Sequence, residues 1–455
     1  MRGKFLLIVS FFILSVALAN GKIVGSISDG MGSPLTARIR IMSAQKAFLI
    51  TLYTDWNGDF EIDLAQGQYE FEITKGPEYE RKIVQVDVVD NKETEMKITL
   101  NRLYDLAQIG WFGGDTHMHS TYSDGRQNVE QVALACSAAG LSWAVLSDHN
   151  TIAGKDEWLS FSDKGIMTIM GEEITTQIGH INALGVNQLV AWKPSATDED
   201  IKRIFTDITS QKAVSQINHP FDLRNRFERI HVEGFDLIEI WNGGAPPIAE
   251  GLGNRESQEY WYELLNQGKK IAAVAGSDCH DVYSSYSLLG FLPLQTVILI
   301  LQRELPGSEF IEYAKNNEQI LRNWVKYGLF PGIPRTYVKV HKLNQENILN
   351  ALKSGKSFLT NGPLLLVDIN GAEPGETVLI SEKMMVNIYM MSNTPIKELR
   401  LIQSGQTVYT ISLRGKTLFQ CSIQIDPKDG DWILVEAFGD YPVYALTNPI
   451  YFKSK

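Results

Sequence analysis

Hydrophobic and polar residues alternate one by one along the first part of the chain, from Lys22 to about Arg102. Phe60 to Leu64 and Tyr69 to Ile73 show this alternation most clearly. Such runs, interrupted by Gly, Pro and Asn-Gly pairs, are typical of antiparallel strands with one buried face. The pattern predicts a β-sandwich over residues 20–103.

The pattern changes at about Tyr104, where short continuous apolar runs begin to alternate with amphipathic stretches. Continuous apolar runs indicate parallel strands buried on both faces, and amphipathic stretches indicate the helices that cover them. We expect helices over residues 128–139, 198–211 and 255–267. We expect seven strands, which end near Thr116, Ser147, Glu173, Val186, Asn218, Trp241 and Ser277. The repeated unit predicts a β/α barrel within residues 104–362.

An insertion interrupts the barrel pattern at about residues 283–334, with an apolar run over 291–301 and a helix-like stretch after it. It is interpreted as a lid, a dimer surface or simply packing. A helix is expected at 345–353, and the one-by-one alternation returns in a C-terminal β-domain over 363–455. The expected fold class is therefore multidomain α/β plus β.

Charge and cysteine content exclude some classes of protein. The chain of 455 residues has 42 Lys and Arg against 53 Asp and Glu, a net charge of -11, which argues against binding nucleic acid or anionic membranes. Three cysteines cannot form a disulfide-stapled scaffold, although one bond among Cys136, Cys279 and Cys421 stays open.

The first 19 residues have the pattern of a secretory signal. Arg2 and Lys4 precede the apolar run 5–18, and Ala17 and Ala19 form a small-x-small cleavage site. The alternative is an uncleaved anchor, but the run is shorter than the ~20 residues that a spanning helix needs. We therefore expect cleavage after Ala19 and an exported, periplasmic or extracellular protein that is not held in a membrane.

Candidate chemistry is concentrated where the predicted strands end, and the carboxyl ends of barrel strands meet at one face. Imidazoles mixed with carboxylates suit zinc, manganese or iron. His117 and His119 are separated by one residue, so both rings point to the same side of an extended chain. Asp124 follows in a Ser-Asp-Gly turn that can bring its carboxylate back toward the cavity that the two histidines face. The candidate ligands are six histidines, His117, His119, His149, His180, His219 and His280, with the carboxylates near them, Asp115, Asp124, Asp148, Glu172, Glu173 and Asp278.

The ordered motifs resemble the PHP (polymerase and histidinol phosphatase) superfamily of metal-dependent hydrolases. They are His117-Met118-His119, Ser147-Asp148-His149, Gly171-Glu172-Glu173, Gly179-His180, Asn218-His219-Pro220 and Ser277-Asp278-Cys279-His280. Residues 122–125, 334–337 and 353–363 are similar to the CehA/McbA branch of that superfamily. The resemblance covers about residues 113–371.

This resemblance implies a distorted (β/α)7 PHP barrel that holds two or three divalent ions, Zn, Mn or Fe. One ion would be bound by His117, His119, Glu173 and Asp278. A second, bridged by Glu173, would be bound by Asp124, His149 and His280, and a third by His180, His219 and Glu173. Metal-bound water would be the nucleophile, and no protein residue is assigned to catalysis. Arg224, Arg226 and Arg335 are candidates to clamp an anionic substrate group, although surface or structural roles are commoner for arginine.

The function expected is hydrolysis of a phosphoester bond in a small-molecule substrate. Carboxylester or carbamate hydrolysis on the same metals is the alternative, and a non-catalytic exported binding protein is the third hypothesis. Hydrolysis of nucleic acid is disfavoured by the negative charge and the export signal.

The N-terminal segment is similar to the carboxypeptidase regulatory-like, transthyretin-like domain in residues 25–29, 33–35 and 54–60. The resemblance implies a non-catalytic accessory module. Residues 55–59 could form a calcium loop because their carboxylates alternate, but a hairpin turn at Asn57-Gly58 is the simpler interpretation.

Overall fold

The computed structural model describes residues 21–45, 48–222, 225–244, 253–284, 330–440 and 442–455. Two compact units divide the chain: Met1–Lys75 with Tyr79–Tyr104, and Gly76–Glu78 with Asp105–Lys455. The predicted signal segment and most of the predicted insertion lie outside the described residues. Among the residues that are described, no helix has the length and apolar character needed to cross a membrane.

The first unit consists of seven strands in two sheets. They are β1 (Gly21–Ser28), β2 (Arg38–Ser43), β3 (Phe48–Tyr53), β4 (Asp59–Leu64), β5 (Gly67–Thr74), β6 (Lys82–Val88) and β7 (Glu93–Thr99). One sheet has the order β4-β1-β7 and the other β3-β2-β5-β6. Alternate residues of both sheets, such as Ile23, Ile39 and Phe71, are fully buried in one core. The one-by-one alternation of the sequence therefore corresponds to one buried face on each sheet.

A tight turn joins β3 to β4 at Asn57-Gly58. Asp55 Oδ1 accepts hydrogen bonds from the backbone N–H groups of Asn57 and Asp59, at 2.8 and 2.9 Å. Gly58 has φ 80°, and a Cβ there would lie 2.4 Å from the carbonyl oxygen of Ile27. The turn therefore needs glycine, and the Asp55 carboxylate stabilises its backbone. The expected hairpin is wrong, because β3 and β4 pair with different strands, β2 and β1, and the turn instead passes from one sheet to the other.

The second unit begins with the seven strands that the sequence predicts, and each ends within three residues of its predicted end. They are β8 (Trp111–Asp115), β9 (Trp143–Leu146), β10 (Met167–Thr176), β11 (Gly179–Leu184), β12 (Val214–Ile217), β13 (Leu237–Asn242) and β14 (Ala272–Gly276). The helices between them are α1 (Val129–Ala138), α2 (Lys155–Ser160), α3 (Asp198–Ser210) and α4 (Asn254–Asn266). Every residue of strands β11, β12, β13 and β14 is buried.

These seven strands pair in chain order, and the two outer ones meet at their carboxyl ends. Met118, just after β8, forms a parallel bridge with Cys279, just after β14. The backbone N–H of Asp278 donates to His117 O at 2.9 Å, and that of His119 donates to Cys279 O at 3.1 Å. The segments that carry the predicted ligands of β8 and β14 are therefore joined to each other.

The structure corrects the expected strand-helix alternation at β11. This strand runs antiparallel to both β10 and β12. Only Gln177 and Ile178 separate β10 from β11, which leaves no length for a crossover helix. Among the described residues, the segment between β12 and β13 also contains no helix.

Helix α3 begins at Asp198, as the sequence predicts, and a reciprocal pair of hydrogen bonds caps it. Thr197 is the N-cap, and its hydroxyl accepts from the backbone N–H of Asp200 at 3.3 Å. The Asp200 carboxylate accepts in return from the backbone N–H of Thr197 at 3.1 Å. This reciprocal pair satisfies two helix-end donors, so the cap falls on the threonine.

The C-terminal strands extend the sheet of the seven strands. They are β15 (Arg335–Lys339), β16 (Ser357–Thr360), β17 (Leu364–Ile369), β18 (Thr377–Leu379), β19 (Met384–Gln403), β20 (Gln406–Ile425), β21 (Trp432–Gly439), β22 (Tyr444–Thr447) and β23 (Ile450–Lys453), with helix α5 (Gln345–Lys353) after β15. From β8 the order continues β15-β16-β22-β21-β19-β17. Residues on both sides of position 363 thus share one sheet and one compact unit, which the predicted domain boundary did not anticipate.

Close packing under β8 provides a first test. A Cβ at Gly114 would lie 2.0 Å from the ring of Trp143, which is fully buried. We expect Gly114→Ala to lower the free energy of unfolding by about 1–3 kcal/mol, because the ring cannot move without displacing its neighbours. Urea unfolding measures the change. Gly362→Ala is the control, because a Cβ there meets Val443 at an ordinary 3.5 Å; equal midpoints for both variants would contradict this packing.

Candidate metal centre

All nine predicted ligands lie together at one face of the seven strands. This face is formed by the carboxyl ends of the parallel strands and by the amino end of the antiparallel β11, which carries His180. Their ligand atoms form four overlapping groups, each within 4.8 Å: His117, His119 and Glu173; His119, Asp124, His149 and His280; His149, Glu173 and His180; and His117, His219 and Asp278. Neighbouring groups share Glu173, His119, His117 or His149. The structure thus brings together residues that are up to 163 positions apart in the sequence.

Site 1 comprises His117, His119, Glu173 and Asp278. Both imidazole Nε2 atoms lie 3.2 Å from Glu173 Oε2 and 3.2 Å from Asp278 Oδ1. The two histidine rings point the same way because Met118, between them, points to the opposite side and contacts Cys136. Asp278 has φ 52°, in the left-handed region, and its backbone N–H donates a hydrogen bond to His117 O.

Site 2 comprises Asp124, His149 and His280. Asp124 Oδ1 lies 3.2 Å from His280 Nε2 and 3.6 Å from His149 Nε2. The turn after His119 returns Asp124 to the site, because Ser123 N–H and Gly125 N–H both donate to Ser120 O. His280 Nδ1–H donates to Asp278 O at 2.9 Å, which leaves Nε2 directed at Asp124.

Site 3 denotes the expected set Glu173, His180 and His219, which is not one of the four groups found in the described residues. There His180 is grouped with His149 and Glu173, whereas His219 is grouped with His117 and Asp278. Glu173 Oε1 lies 3.0 Å from His180 Nδ1 and 3.5 Å from His219 Nε2. Glu172, the preceding residue, points to the opposite face of β10 and accepts from Val190 N–H at 2.9 Å. The alternation of a strand therefore separates the two adjacent carboxylates, and Glu173 alone enters the site.

Electrostatics at the site favour a cation. Burial acts to raise the pKa of Glu173, but His117, His180 and His149 hold it well below its usual range. The pKa of Asp278 is likewise held low, against burial, chiefly by His117 and His280. Burial would lower the pKa of His119, yet the hydrogen bond to Asp278 and the nearby Glu173 carboxylate raise it to about 9. The carboxylates are therefore ionised at neutral pH and attract positive charge.

The donor set fits a divalent ion. Within the described part of the chain, His117 Nε2, Glu173 Oε2 and His219 Nδ1 are buried without a hydrogen-bond partner. Buried polar atoms normally have one, so these atoms require another kind of partner. Two ligands of a tetrahedral ion with bonds of about 2.0–2.1 Å lie about 3.3 Å apart, close to the separations in site 1.

The candidate arginines are not at the site in the way the sequence suggested. Arg335 is buried and donates to the backbone oxygens of Gly332 and Ala139, both at 2.9 Å, so it holds two loops instead of clamping a substrate. Arg226 is exposed, and its guanidinium lies 4.8 Å from the centre of the Phe221 ring. Arg224 lies outside the described residues.

Sequence reasoning missed several supporting residues. Asn218 Nδ2 donates to Glu173 Oε1 at 2.8 Å, and Thr175 Oγ1 contacts His149 Nδ1. Glu239, fully buried in β13, contacts His117 Nδ1 at 3.1 Å. The available signal was a single acid between apolar neighbours in the sequence Leu237-Ile238-Glu239-Ile240. A buried carboxylate in such a strand requires donors close by.

Comparison with known proteins adds resemblances of limited extent. No protein-family profile matches the sequence. A stretch of 46 residues is 39% identical to the DNA polymerase/3'-5' exonuclease PolX of Bacillus subtilis, and it spans 10% of this chain and 8% of that enzyme.

Three solved structures are similar at 16–17% identity. A two-domain Bacteroides vulgatus protein described as containing a PHP-like metal-dependent phosphoesterase covers 72% of this chain and 90% of its own, with a TM-score of 0.41. A Bifidobacterium adolescentis protein described as a metal-dependent phosphoesterase and a Chromobacterium violaceum amidohydrolase each cover 37% of this chain and 87% of their own, with TM-scores of 0.29 and 0.30.

Metal content tests the site directly. We expect the wild-type protein to retain two or three equivalents of Zn, Mn or Fe by elemental analysis, and a His117→Ala, Asp278→Ala variant to lose at least one, because both side chains belong to site 1. His341→Ala, which changes an exposed histidine, should retain the full content. Less than one equivalent in the reconstituted wild-type protein would contradict a multinuclear centre.

Proposed function

We propose that the protein is an exported, metal-dependent phosphoesterase that hydrolyses a small-molecule substrate. The observation that carries this proposal is the convergence of six imidazoles and three carboxylates, whose four groups of ligand atoms overlap at residues such as Glu173 and His119. Divalent ions held this close together lower the pKa of water and polarise both the attacked and the leaving oxygen of an ester. The bound metals are proposed to be two or three ions of Zn, Mn or Fe.

The side chains differ in how far solvent reaches them, which defines the approach of the substrate. The Asp124 side chain is 58% exposed and that of His280 34%, whereas those of His117 and Glu173 are at most 1% exposed. A substrate therefore meets site 2 first, while sites 1 and 3 lie deeper. The ion that Asp124 and His280 would hold is then the one nearest the mouth, and the deeper carboxylates supply charge.

Hydrogen bonds from residues behind the ligands fix the orientation of the ligands before a substrate arrives. Asp148 accepts from Ser120 N–H at 2.8 Å and from Ser120 Oγ at 2.7 Å, so it fixes the start of the Asp124 turn. Asp115 accepts from the N–H groups of His117, Ser277 and Gly332, at 3.1, 3.0 and 2.7 Å. Positions fixed in this way reduce the reorganisation needed during the reaction.

Carboxylester or carbamate hydrolysis on the same metals is the second candidate. It is favoured by the structural role of Arg335, which removes one of the cations that could have recognised a phosphate. The proposed seven-stranded PHP barrel, in its CehA/McbA form, is compatible with either reaction. For the first unit we propose a non-catalytic, carboxypeptidase regulatory-like module, since the metal-binding groups in the described residues all lie in the second unit.

Substrate preference separates these candidates. We expect the metal-loaded protein to hydrolyse p-nitrophenyl phosphate or its diester faster than p-nitrophenyl acetate. Chelation should abolish this activity, and adding the metal back should restore it. The phosphatase activity of the His117→Ala, Asp278→Ala variant should be at least about a hundredfold lower than that of the wild type. The His341→Ala protein serves as control. Faster hydrolysis of the acetate would select the second candidate, and no turnover of either class by the metal-loaded protein would favour a binding protein.

Export has its own test, because the apolar run after Arg2 and Lys4 predicts cleavage after Ala19. In a bacterial host that secretes the chain from its own N-terminus, the exported protein should have the mass of a chain that begins at Asn20. Ala17→Phe should block processing because signal peptidases require small residues there. If the wild type and the Ala17→Phe variant both stayed in the cytoplasm with the mass of the full-length chain, export would be contradicted.

A further inference from the structure

Glu239 is a buried acid that the proposed chemistry does not use. It is fully buried in β13 between Ile238 and Ile240, which are also fully buried. A carboxylate in apolar surroundings is costly unless several donors surround it. Its donors therefore show what it does.

The donors of Glu239 come from two other strand ends and from its own. Oε1 lies 3.1 Å from His117 Nδ1. Oε2 accepts from the backbone N–H of His219 at 2.9 Å and from Asn242 Nδ2 at 3.0 Å. Asn242 Nδ2 also lies 3.2 Å from Asp278 Oδ2. One carboxylate thus contacts His117 and His219 directly and reaches Asp278 through one amide.

These three residues are one of the groups that could hold an ion, and they follow three different strands, β8, β12 and β14. Glu239 is the side chain in β13 that connects all three. A carboxylate can only accept, so His117 Nδ1 donates a hydrogen bond to Glu239. Nε2, which lies 3.2 Å from Glu173 and from Asp278, is then the nitrogen that would bind an ion. Because Asn242 donates to Asp278 Oδ2, Oδ1 remains directed at the two histidines of site 1.

Two features of the backbone accommodate this arrangement. His219 has φ 29°, an uncommon left-handed value, and its N–H is held by Glu239 Oε2. A Cβ at Gly276 would lie 2.5 Å from Glu239 Oε1 and 2.6 Å from His117 Cβ. Glycine at position 276 therefore leaves the space in which the carboxylate and the imidazole meet.

We propose that Glu239 is a positioning residue that organises His117, His219 and Asp278 for metal binding. It contacts the ring of His117 and the backbone N–H of His219 directly, and it acts on Asp278 through the Asn242 amide. The inference rests on the metal site proposed above. Glu239 acts through the ligands and does not itself bind the ion.

Replacement by glutamine tests this role. The amide in Glu239→Gln cannot accept from all three donors, because one of its two polar atoms is itself a donor. Glu436→Gln is the matched control: Glu436 is also buried and accepts from Tyr444 Oη, Gln258 Nε2 and Tyr262 Oη, at 2.8, 2.8 and 3.4 Å, away from the site.

Zn²⁺ affinity, measured by competition with a chelating dye, is the readout. We expect Glu239→Gln to weaken the binding of one equivalent about 10- to 100-fold, and Glu436→Gln to stay within about twofold of the wild type. Glu239→Asp, which retains the charge, should recover part of the loss. Equal affinity in Glu239→Gln and wild type would overturn the inference while leaving the metal site intact, and absence of binding by the wild type would overturn both.

A second measurement does not depend on the folding of a variant. Nitrogen-15 NMR of the histidine rings in the wild-type zinc protein should show His117 protonated at Nδ1. Protonation at Nε2 would overturn the inference. If the zinc protein binds metal with this tautomer but hydrolyses no ester, the proposed function fails and the role of Glu239 stands.

Discussion

A buried carboxylate needs compensating charge, and Glu173 imposes this requirement on the whole strand-end face. Its two oxygens lie within 3.5 Å of nitrogens of His117, His119, His149, His180 and His219. Five imidazoles around one carboxylate form a dense arrangement that solvent barely reaches, and buried ring nitrogens there lack hydrogen-bond partners among the described residues. A divalent cation satisfies the carboxylate and the nitrogens together, which protons on the rings cannot do for every atom at once.

The fold meets this requirement through the junction of its outer strands. Asp115 bonds to the backbone on both sides of that junction, at His117 and Ser277, and the backbone pairs around Met118 and Cys279 hold the two ligand-bearing segments together. Gly114 and Gly276 allow the close approach on which this junction depends, since a Cβ at either position would meet a neighbouring side chain below 3 Å. Packing at the strands and metal chemistry at their ends are therefore parts of one arrangement.

Around the ligands lies a ring of residues that never needs to touch an ion. Glu239 and Asn242 support one side of the site, Asn218 the middle, and Asp148 the turn that carries Asp124. Such partners fix the ring orientation and the tautomer of each ligand, so the site exists before the ion arrives. The side at Asp124 and His280 is more exposed, and we propose that a substrate approaches from there.

The sequence by itself determined the seven strands, the main helix positions and the nine residues that converge, because strand ends and the His-x-His and Asp-x-His spacings are local patterns. It did not reveal that β11 runs antiparallel, that the C-terminal strands continue the same sheet, or that Arg335 holds two loops. Nor did it identify Glu239, whose partners lie 122 residues before it and 20 residues before it in the chain. Those features depend on which distant backbone and side-chain groups meet, and only tertiary packing decides that.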